Sequence, residues 1–300
     1  MTTTSQTAYF LWVGSPLPNL ARISVLSAAE AGFETVLFTD RGHPVAHPKL
    51  RTLDYREVEL PWRPAQVRIK GETKPCYAAF SDLFRFALLA QNDGWWFDCD
   101  TIILRDAASF SNLMRPNKLT VGRENNHVIN GAVLGSLGKI QAQHLFERAY
   151  TAFPIIDIWG AVGPALITQA TSEGMIDPHI LEQKYFYPVH HQDIARIYMP
   201  QDCSDLKDQE AEWYCLSLWN EVLSRSGLKH LSPPTDSYLG TLLARRPELG
   251  EMNGDPAQMA NYLANNLQRL DDLHSGRIAL RTFLRKASAR LISRKGVRNG

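Results

Sequence analysis

The sequence predicts an α/β fold in which helices flank a central mixed, mostly parallel sheet. Three observations point there. An apolar strand, an amphipathic helix and a second apolar strand follow one another within the first 40 residues, the signature of a right-handed parallel crossover. An amphipathic helix at 77–89 then runs through an Asn-Asp-Gly turn into Trp95-Trp96-Phe97, an apolar run typical of a central strand buried on both faces. That strand ends in two carboxylates, Asp98 and Asp100, one residue apart.

Tyr9–Val13 is the candidate first strand, stopped by Gly14 and the Ser15-Pro16-Leu17-Pro18 turn. Asn19 is a candidate cap for a helix over 20–31, which Gly32 ends. Thr35–Phe38 is the second strand, closed by Thr39-Asp40. Ligands in such sheets bind beyond the carboxyl ends of the strands, so Trp12, Val13, Gly14 and Asp40 share a rim with Asp98 and Asp100. Residues 42–68, rich in Pro, Arg and His, read as mostly irregular, with 53–60 as an edge strand. In the helix 77–89, Phe80, Leu83, Phe84, Ala87 and Leu88 form one apolar stripe.

Residues 101–104 continue extended, and 119–122 and 131–135 read as two further strands. Residues 139–153 form an amphipathic helix and 160–170 a glycine–proline helix start, with the acidic Asp157 just upstream. Tyr185-Phe186-Tyr187-Pro188 is expected to be a structural strand. His190-His191 with Asp193 hints at a metal, but neighbouring strand residues face opposite ways, so the pair reads as a loop or surface feature. Trp213–Asn220 is an aromatic strand or helix.

The 300 residues allow one large domain or two small ones. The boundaries expected are a catalytic-size domain over 1–245 and a helical extension over 246–300. In the extension, 255–273 reads as a helix. Arg277–Arg298 carries eight basic residues and no acidic one. Its apolar stripe (Leu280, Phe283, Leu284, Ala287, Leu291) makes a basic amphipathic helix of the kind that lies on an anionic membrane. A net charge of +1 gives no argument for nucleic acid. The four cysteines show neither a CxxC pair nor framework spacing, and no apolar run suits a signal peptide or a membrane span. These features predict a cytoplasmic protein, with the basic helix allowing contact at the inner face of the plasma membrane.

The chemistry follows from the acidic pair. In an extended segment Asp98 and Asp100 project from the same side, and two hard oxygen ligands suit a divalent cation that also binds a diphosphate. Asp82 and Arg85, three residues apart, share a helix face.

In order and spacing, Ser81, Asp82, Arg85 and Leu89, then Gly94, then Asp98 and Asp100 resemble the DXD-containing glycosyltransferases of the GT-A fold. The nearest likeness is to the α-1,4-galactosyltransferase-like and α-1,6-mannosyltransferase-like family, with a more distant likeness to the glucosylating toxin domains. The resemblance implies a GT-A-like sheet and transfer of a sugar from a nucleotide-sugar, UDP-sugars favoured, with retention of anomeric configuration. The acceptor would be a glycan, glycolipid or polysaccharide, and Mn2+ or Mg2+ the cofactor. It implies metal ligation by Asp98 and Asp100, completed by Ser217 in an S-x-W motif with Trp219, where many members have histidine in place of Ser217. Asp82 and Arg85, with Ser81 beside them, would grip donor-sugar hydroxyls and phosphate. Trp12 and Val13 would hold the base, near Asp40, and Asn130 would face donor and acceptor from an N-G-x-x-G strand.

Two other readings stand beside this one. A sugar-nucleotide-binding protein without turnover is conceivable because of Ser217. A dehalogenase-like phosphatase needs threonine four residues after the first aspartate, and Ile102 holds that place.

Overall fold

In this computed structural model the described residues are 6–42 and 45–250. Both elements expected beyond 250, the helix at 255–273 and the basic stretch at 277–298, lie outside them.

The chain opens with β1 (Thr7–Trp12), α1 (Asn19–Glu30) and β2 (Glu34–Thr39), the predicted crossover. β1 and β2 pair in parallel from Thr7↔Glu34 to Trp12↔Thr39. The helix begins at Asn19 rather than after it. Pro18 occupies the cap position in extended conformation, and no side chain caps the first turn. β3 (Leu50–Asp54) adds a parallel edge strand, somewhat earlier than the alternation suggests, and the chain then turns into a 3₁₀ segment at Tyr55–Glu57. β4 (Arg68–Ile69) leads to α2 (Tyr77–Leu89), β5 (Gly94–Phe97) and β6 (Thr101–Ile103). There follow α3 (Ala107–Ser111), β7 (Lys118–Arg123), β8 (Ile129–Leu137), α4 (Ile140–Tyr150) and β9 (Ile155–Ile156). The described chain closes with α5 (Pro164–Ser172), β10 (His179–Leu181), α6 (Gln183–Phe186), α7 (Cys203–Gln209), β11 (Cys215–Ser217), α8 (Asn220–Ser226) and α9 (Tyr238–Arg245).

Seven strands form the main sheet in the order β10-β7-β8-β5-β1-β2-β3. All neighbours are parallel except β8, which runs antiparallel to both β5 and β7. The sheet is therefore mixed and mostly parallel, as predicted. The reversed strand matters for the site: the start of β8 lies on the same rim as the carboxyl end of β5.

β5 is fully buried on both faces. Trp96 packs with Tyr9, Phe84 and Leu134 on the α2 side. Trp95 and Phe97 pack with Phe10, Phe33 and Phe110 on the α1 side. In α2 every residue from Ala79 to Leu89 except Ser81 is buried, including Asp82 and Arg85. Each large apolar side chain taken out of water there contributes roughly 1.5–3 kcal/mol. That packing holds the two buried charges in place. Gly94 is obligatory at the turn: its φ is +140°, and a Cβ would stand 2.7 Å from Thr7 O.

One expected strand is instead a helical turn. Residues 183–186 form α6, closed by Tyr187 N–H donating to Gln183 O at 2.8 Å. Phe186 and Tyr187 are both fully buried. A strand sends neighbouring side chains to opposite faces, so a turn is what lets both rings pack inward.

Candidate active site

β6 and β11 form a small antiparallel sheet with Ser217 opposite Thr101. This pairing carries the S-x-W segment to the acidic turn at the end of β5. Leu218 N–H donates to Asp100 O at 2.7 Å, and Asn220 N–H donates to Asp100 Oδ2 at 2.8 Å. Trp219, between them, sits in the left-handed region at φ 49°, ψ 56°. A bulky residue held there costs on the order of 1–3 kcal/mol and is characteristic of functional turns. Its indole N–H donates to Val189 O at 2.9 Å. Ser217 is buried beside this turn.

The other carboxylates converge on Arg85, whose guanidinium is itself buried. It pairs with Asp82 at 3.1 Å and Asp98 at 3.0 Å, and donates to Gly131 O and, at 3.4 Å, to Ser81 O. Trp96 Nε1 adds a 2.8 Å bond to Asp98 Oδ1, and the Asp98 N–H donates to Ala132 O at 2.8 Å. Helix α2, strand β5 and strand β8 are thus tied through one side chain. Arg85 also lies over the Trp96 ring, 5.3 Å from its centroid.

Two glycines permit the close approach. At Gly131 a Cβ would stand 2.8 Å from Ile167 and 3.0 Å from Arg85 Nη1. At Gly163, immediately before α5, it would stand 2.5 Å from Asp82 Oδ2. The glycine–proline start of α5 is therefore part of this group rather than a remote cap. Gly163→Ala is expected to lower the melting temperature, with overpacking costing about 1–3 kcal/mol, and to displace Asp82. A thermal melt unchanged from the parent would contradict so close a contact.

Three carboxylates, Asp82, Asp98 and Asp100, stand against one guanidinium. Burial pushes Asp82 up to about 6, with Arg85 opposing and Asp98 reinforcing. Burial and then the charge of Asp98 push Asp100 up to about 6, against the Asn220 N–H. Asp98 is raised by burial, opposed by Arg85 and Trp96. In the unfolded chain these groups ionise near 3.8. Over that interval the folded protein therefore keeps protons that the unfolded chain releases. Their contribution to stability is present below pH of about 4 and is lost as pH rises through about 6. Metal-free protein in EDTA is accordingly expected to melt higher at pH 5 than at pH 7.5, and manganese to narrow the gap. Melts in both buffers, with and without metal, check this. A higher melt at pH 7.5 in EDTA would contradict it.

The uncompensated charge also tests a metal against the donor set. Two hard carboxylates and a hydroxyl, in a pocket carrying surplus negative charge, fit a divalent cation of the Mg2+ or Mn2+ type.

Asp40, Gly14 and Trp12 lie where β1 and β2 end. The Asp40 carboxylate accepts from Gly14 N–H at 3.2 and 3.3 Å, joining the ends of β1 and β2. Trp12 Nε1 donates to Ser15 O at 2.9 Å, and Val13 is buried. Asn130, at the start of β8, is buried: its Oδ1 accepts from Ala132 N–H and its Nδ2 donates to Glu124 Oε2, both at 2.8 Å. Asp157 is exposed and lies 3.9 Å from Lys70. His190 and His191 lie outside any strand and are part-exposed, as the loop or surface reading expects, so the rule that would turn them to opposite faces does not apply. His190 is the extended residue before a 3₁₀ segment, not part of a strand, and the two ring centroids are 3.9 Å apart. His191 Nδ1 lies 3.3 Å from Glu124 Oε1. The sequence carries no signal for a role of Glu124 or the Trp96 indole, whereas Gly131 belongs to the N-G-x-x-G strand and Gly163 to the glycine–proline helix start.

Residues 146–244, which include the S-x-W turn and Gly163, match the alpha 1,4-glycosyltransferase conserved region. The matched segment thus supports the family resemblance carried by the earlier acidic motif. The chain is also 25% identical over 206 residues to lactosylceramide 4-alpha-galactosyltransferase of Mus musculus, covering 64% of this chain and 51% of that protein. To its Homo sapiens counterpart it is 25% identical over 183 residues, covering 56% and 50%. The chain spans about half the length of these curated relatives. Among solved structures, the PaToxG glycosyltransferase superposes with a TM-score of 0.42 at 17% identity, covering 57% of this chain and 70% of the other. The galactosyltransferase LgtC, solved with donor and acceptor sugar analogues, superposes with a TM-score of 0.38 at 8% identity, covering 60% and 74%.

Proposed function

We propose that this protein is a metal-dependent hexosyltransferase. It moves a sugar from a nucleotide-sugar, UDP-sugars favoured, to a glycan, glycolipid or polysaccharide acceptor, with retention of anomeric configuration. The observation that carries the reading is the convergence of Asp82 and Asp98 on one buried guanidinium at the carboxyl rim, with the S-x-W turn clamped onto the neighbouring Asp100. The family match over 146–244 supports it.

In the reaction, the bond from the anomeric carbon to the diphosphate breaks and its electron pair leaves with the diphosphate. A bond forms from the acceptor oxygen to the same carbon, and the acceptor proton passes to a phosphate oxygen. The transition state is oxocarbenium-like, and no protein nucleophile is required. Asp98 and Asp100, with Ser217 beside them, would hold a divalent cation, which when bound would supply Lewis-acid stabilisation of the departing diphosphate, worth several kcal/mol.

The chain's own side chains have separable tasks. Asp100 is fixed by two backbone bonds from the S-x-W turn. Asp98 is fixed by Arg85 and Trp96, so Arg85 acts here mainly as its positioning residue. Asp82 accepts a donor-sugar hydroxyl beside Gly163. Trp12 and Val13 flank the base, and Asn130 presents the start of β8 to the sugars. The cell site we assign is the cytoplasm, with residues 277–298 resting on the anionic inner face of the plasma membrane when the acceptor is lipid-linked.

The test is donor turnover. Purified protein is incubated with a panel of UDP- and GDP-sugars, in manganese or in EDTA, and free nucleoside diphosphate is followed. Metal-dependent release from one donor is expected. Absence of release together with calorimetric binding of a donor would favour the second reading, a sugar-nucleotide-binding protein; Ser217, whose hydroxyl is a weaker manganese ligand than an imidazole, is the feature that favours it. Neither release nor binding would overturn both.

A further inference from the structure

The geometry points to a second metal site, built by Glu124, His190 and His191, for a transition-metal dication of the zinc class. It is the one set of three or more candidate ligand residues, among the described residues, whose ligand atoms all lie within 4.8 Å of one another. The carboxylates of Asp98 and Asp100 are not part of it.

The ligands arrive from two separate segments. Glu124 follows β7, and the histidines follow α6 by way of Pro188 and Val189. Two imidazoles and one carboxylate favour zinc, or cobalt as its probe, over the oxygen-preferring Mg2+ and Mn2+ of the Asp98–Asp100 pair. Zinc bonds of 2.0–2.2 Å in a tetrahedron put neighbouring ligand atoms roughly 3.3–3.5 Å apart. Glu124 Oε1 and His191 Nδ1 are 3.3 Å apart. The two histidine rings lie against each other, with centroids 3.9 Å apart and planes tilted by 42°. His190 Nδ1 receives Gln192 N–H only at 3.4 Å, a long bond that a metal could replace.

Support for the ligands is in place. Asn130 Nδ2 donates to Glu124 Oε2, leaving Oε1 turned to His191, and the amide of Asn130 is fixed in turn by Ala132 N–H. Outer-shell bonds of this type orient ligands and typically account for about 10–100-fold in metal affinity. Three protein ligands leave a fourth position open, as in zinc sites that also take water or a substrate group. Glu124 and His191 are only partly buried, so the ion has a path in. The Trp219 ring lies 5.5 Å from His191, centroid to centroid, which sets this metal beside the turn that clamps Asp100.

The test uses the full-length chain stripped with chelator and titrated with Co2+ alone, then with Zn2+ as competitor. A tetrahedral cobalt absorption at one equivalent is expected, abolished by zinc. It should persist in the Asp98→Asn/Asp100→Asn double variant and weaken more than about tenfold in His191→Gln and in Glu124→Gln. Asn130→Ala should weaken it by roughly 10–100-fold. Melts in EDTA establish that each variant is folded. A measurement on the unaltered chain complements these: zinc should protect His190 and His191 from diethylpyrocarbonate. No cobalt absorption in the parent chain, an undiminished one in His190→Gln/His191→Gln, or its loss only in the aspartate double variant overturns the proposal. Failure of donor turnover leaves this result unaffected, because none of these readouts uses a sugar nucleotide.

Discussion

Asp100→Asn is expected to abolish sugar transfer while making the metal-free protein more stable at neutral pH. Asparagine keeps the oxygen that accepts Asn220 N–H, so the S-x-W turn stays closed. What goes is one of three negative charges facing a single guanidinium. Removing a group that burial and Asp98 raise to about 6 relieves a cost that is present at pH 7.5 and absent at pH 4. The melting temperature in EDTA should therefore rise at pH 7.5, stay near the parent's at pH 4, and lose most of its response to manganese. Turnover should fall by at least about 10²–10³-fold, the range for loss of one electrostatic stabiliser. Turnover near the parent's in manganese would sink the site assignment. A falling melt at pH 7.5 would instead sink the charge argument.

Arg85→Ala is expected to have the opposite effect on stability. It leaves Asp82 and Asp98 without their cation and Gly131 O without its donor. Breaking a buried ion pair from one side costs about 3–5 kcal/mol. In a domain of this size that is a fall of roughly 6–20 °C in melting temperature. Arg85→Lys should recover only part of it, because an ammonium cannot span the acceptors that the planar fork reaches. Adding Asp82→Asn to Arg85→Ala should restore some stability, since one uncompensated charge is then gone. A double variant no more stable than Arg85→Ala would mean that the pair is not energetically joined.

The contrast between these substitutions follows what was legible in the sequence. The helix–turn–strand from Tyr77 to Phe97 could be read because its apolar spacing and its Asn-Asp-Gly turn are local signals, and the structure places α2 over the predicted range. The acidic pair could be read because nothing in a buried strand explains two carboxylates at its end. The partners of those carboxylates could not. Whether the Trp96 indole reaches Asp98 depends on which face of β5 each ring takes, and apolar composition is silent on that. Gly131 and Gly163 lie 46 and 81 positions after Arg85 and Asp82 in the sequence. Their small size serves neighbours that only the folded sheet supplies. The Phe186–Tyr187 turn reads as a strand in the sequence because aromatic composition favours strands, while the need to bury two adjacent rings on one side is a tertiary demand. The histidine pair lies in the loop that its sequence suggests, but the closeness of its rings to Glu124 depends on the end of β7, which lies far off in sequence.

The clamp on Asp100 has a consequence for the order in which the site can be assembled on the ribosome. Asp98, its arginine and Gly131 all emerge within residues 85–131, so that half can form as soon as β8 pairs with β5. Asn220 is 120 residues downstream of Asp100. Until that stretch is synthesised and β11 docks on β6, the second carboxylate has neither its amide donor nor its neighbouring hydroxyl. A nascent chain therefore carries a half-made site while the residues between Gly131 and Asn220 are added, and the ability to hold a sugar nucleotide arrives late and in a single step.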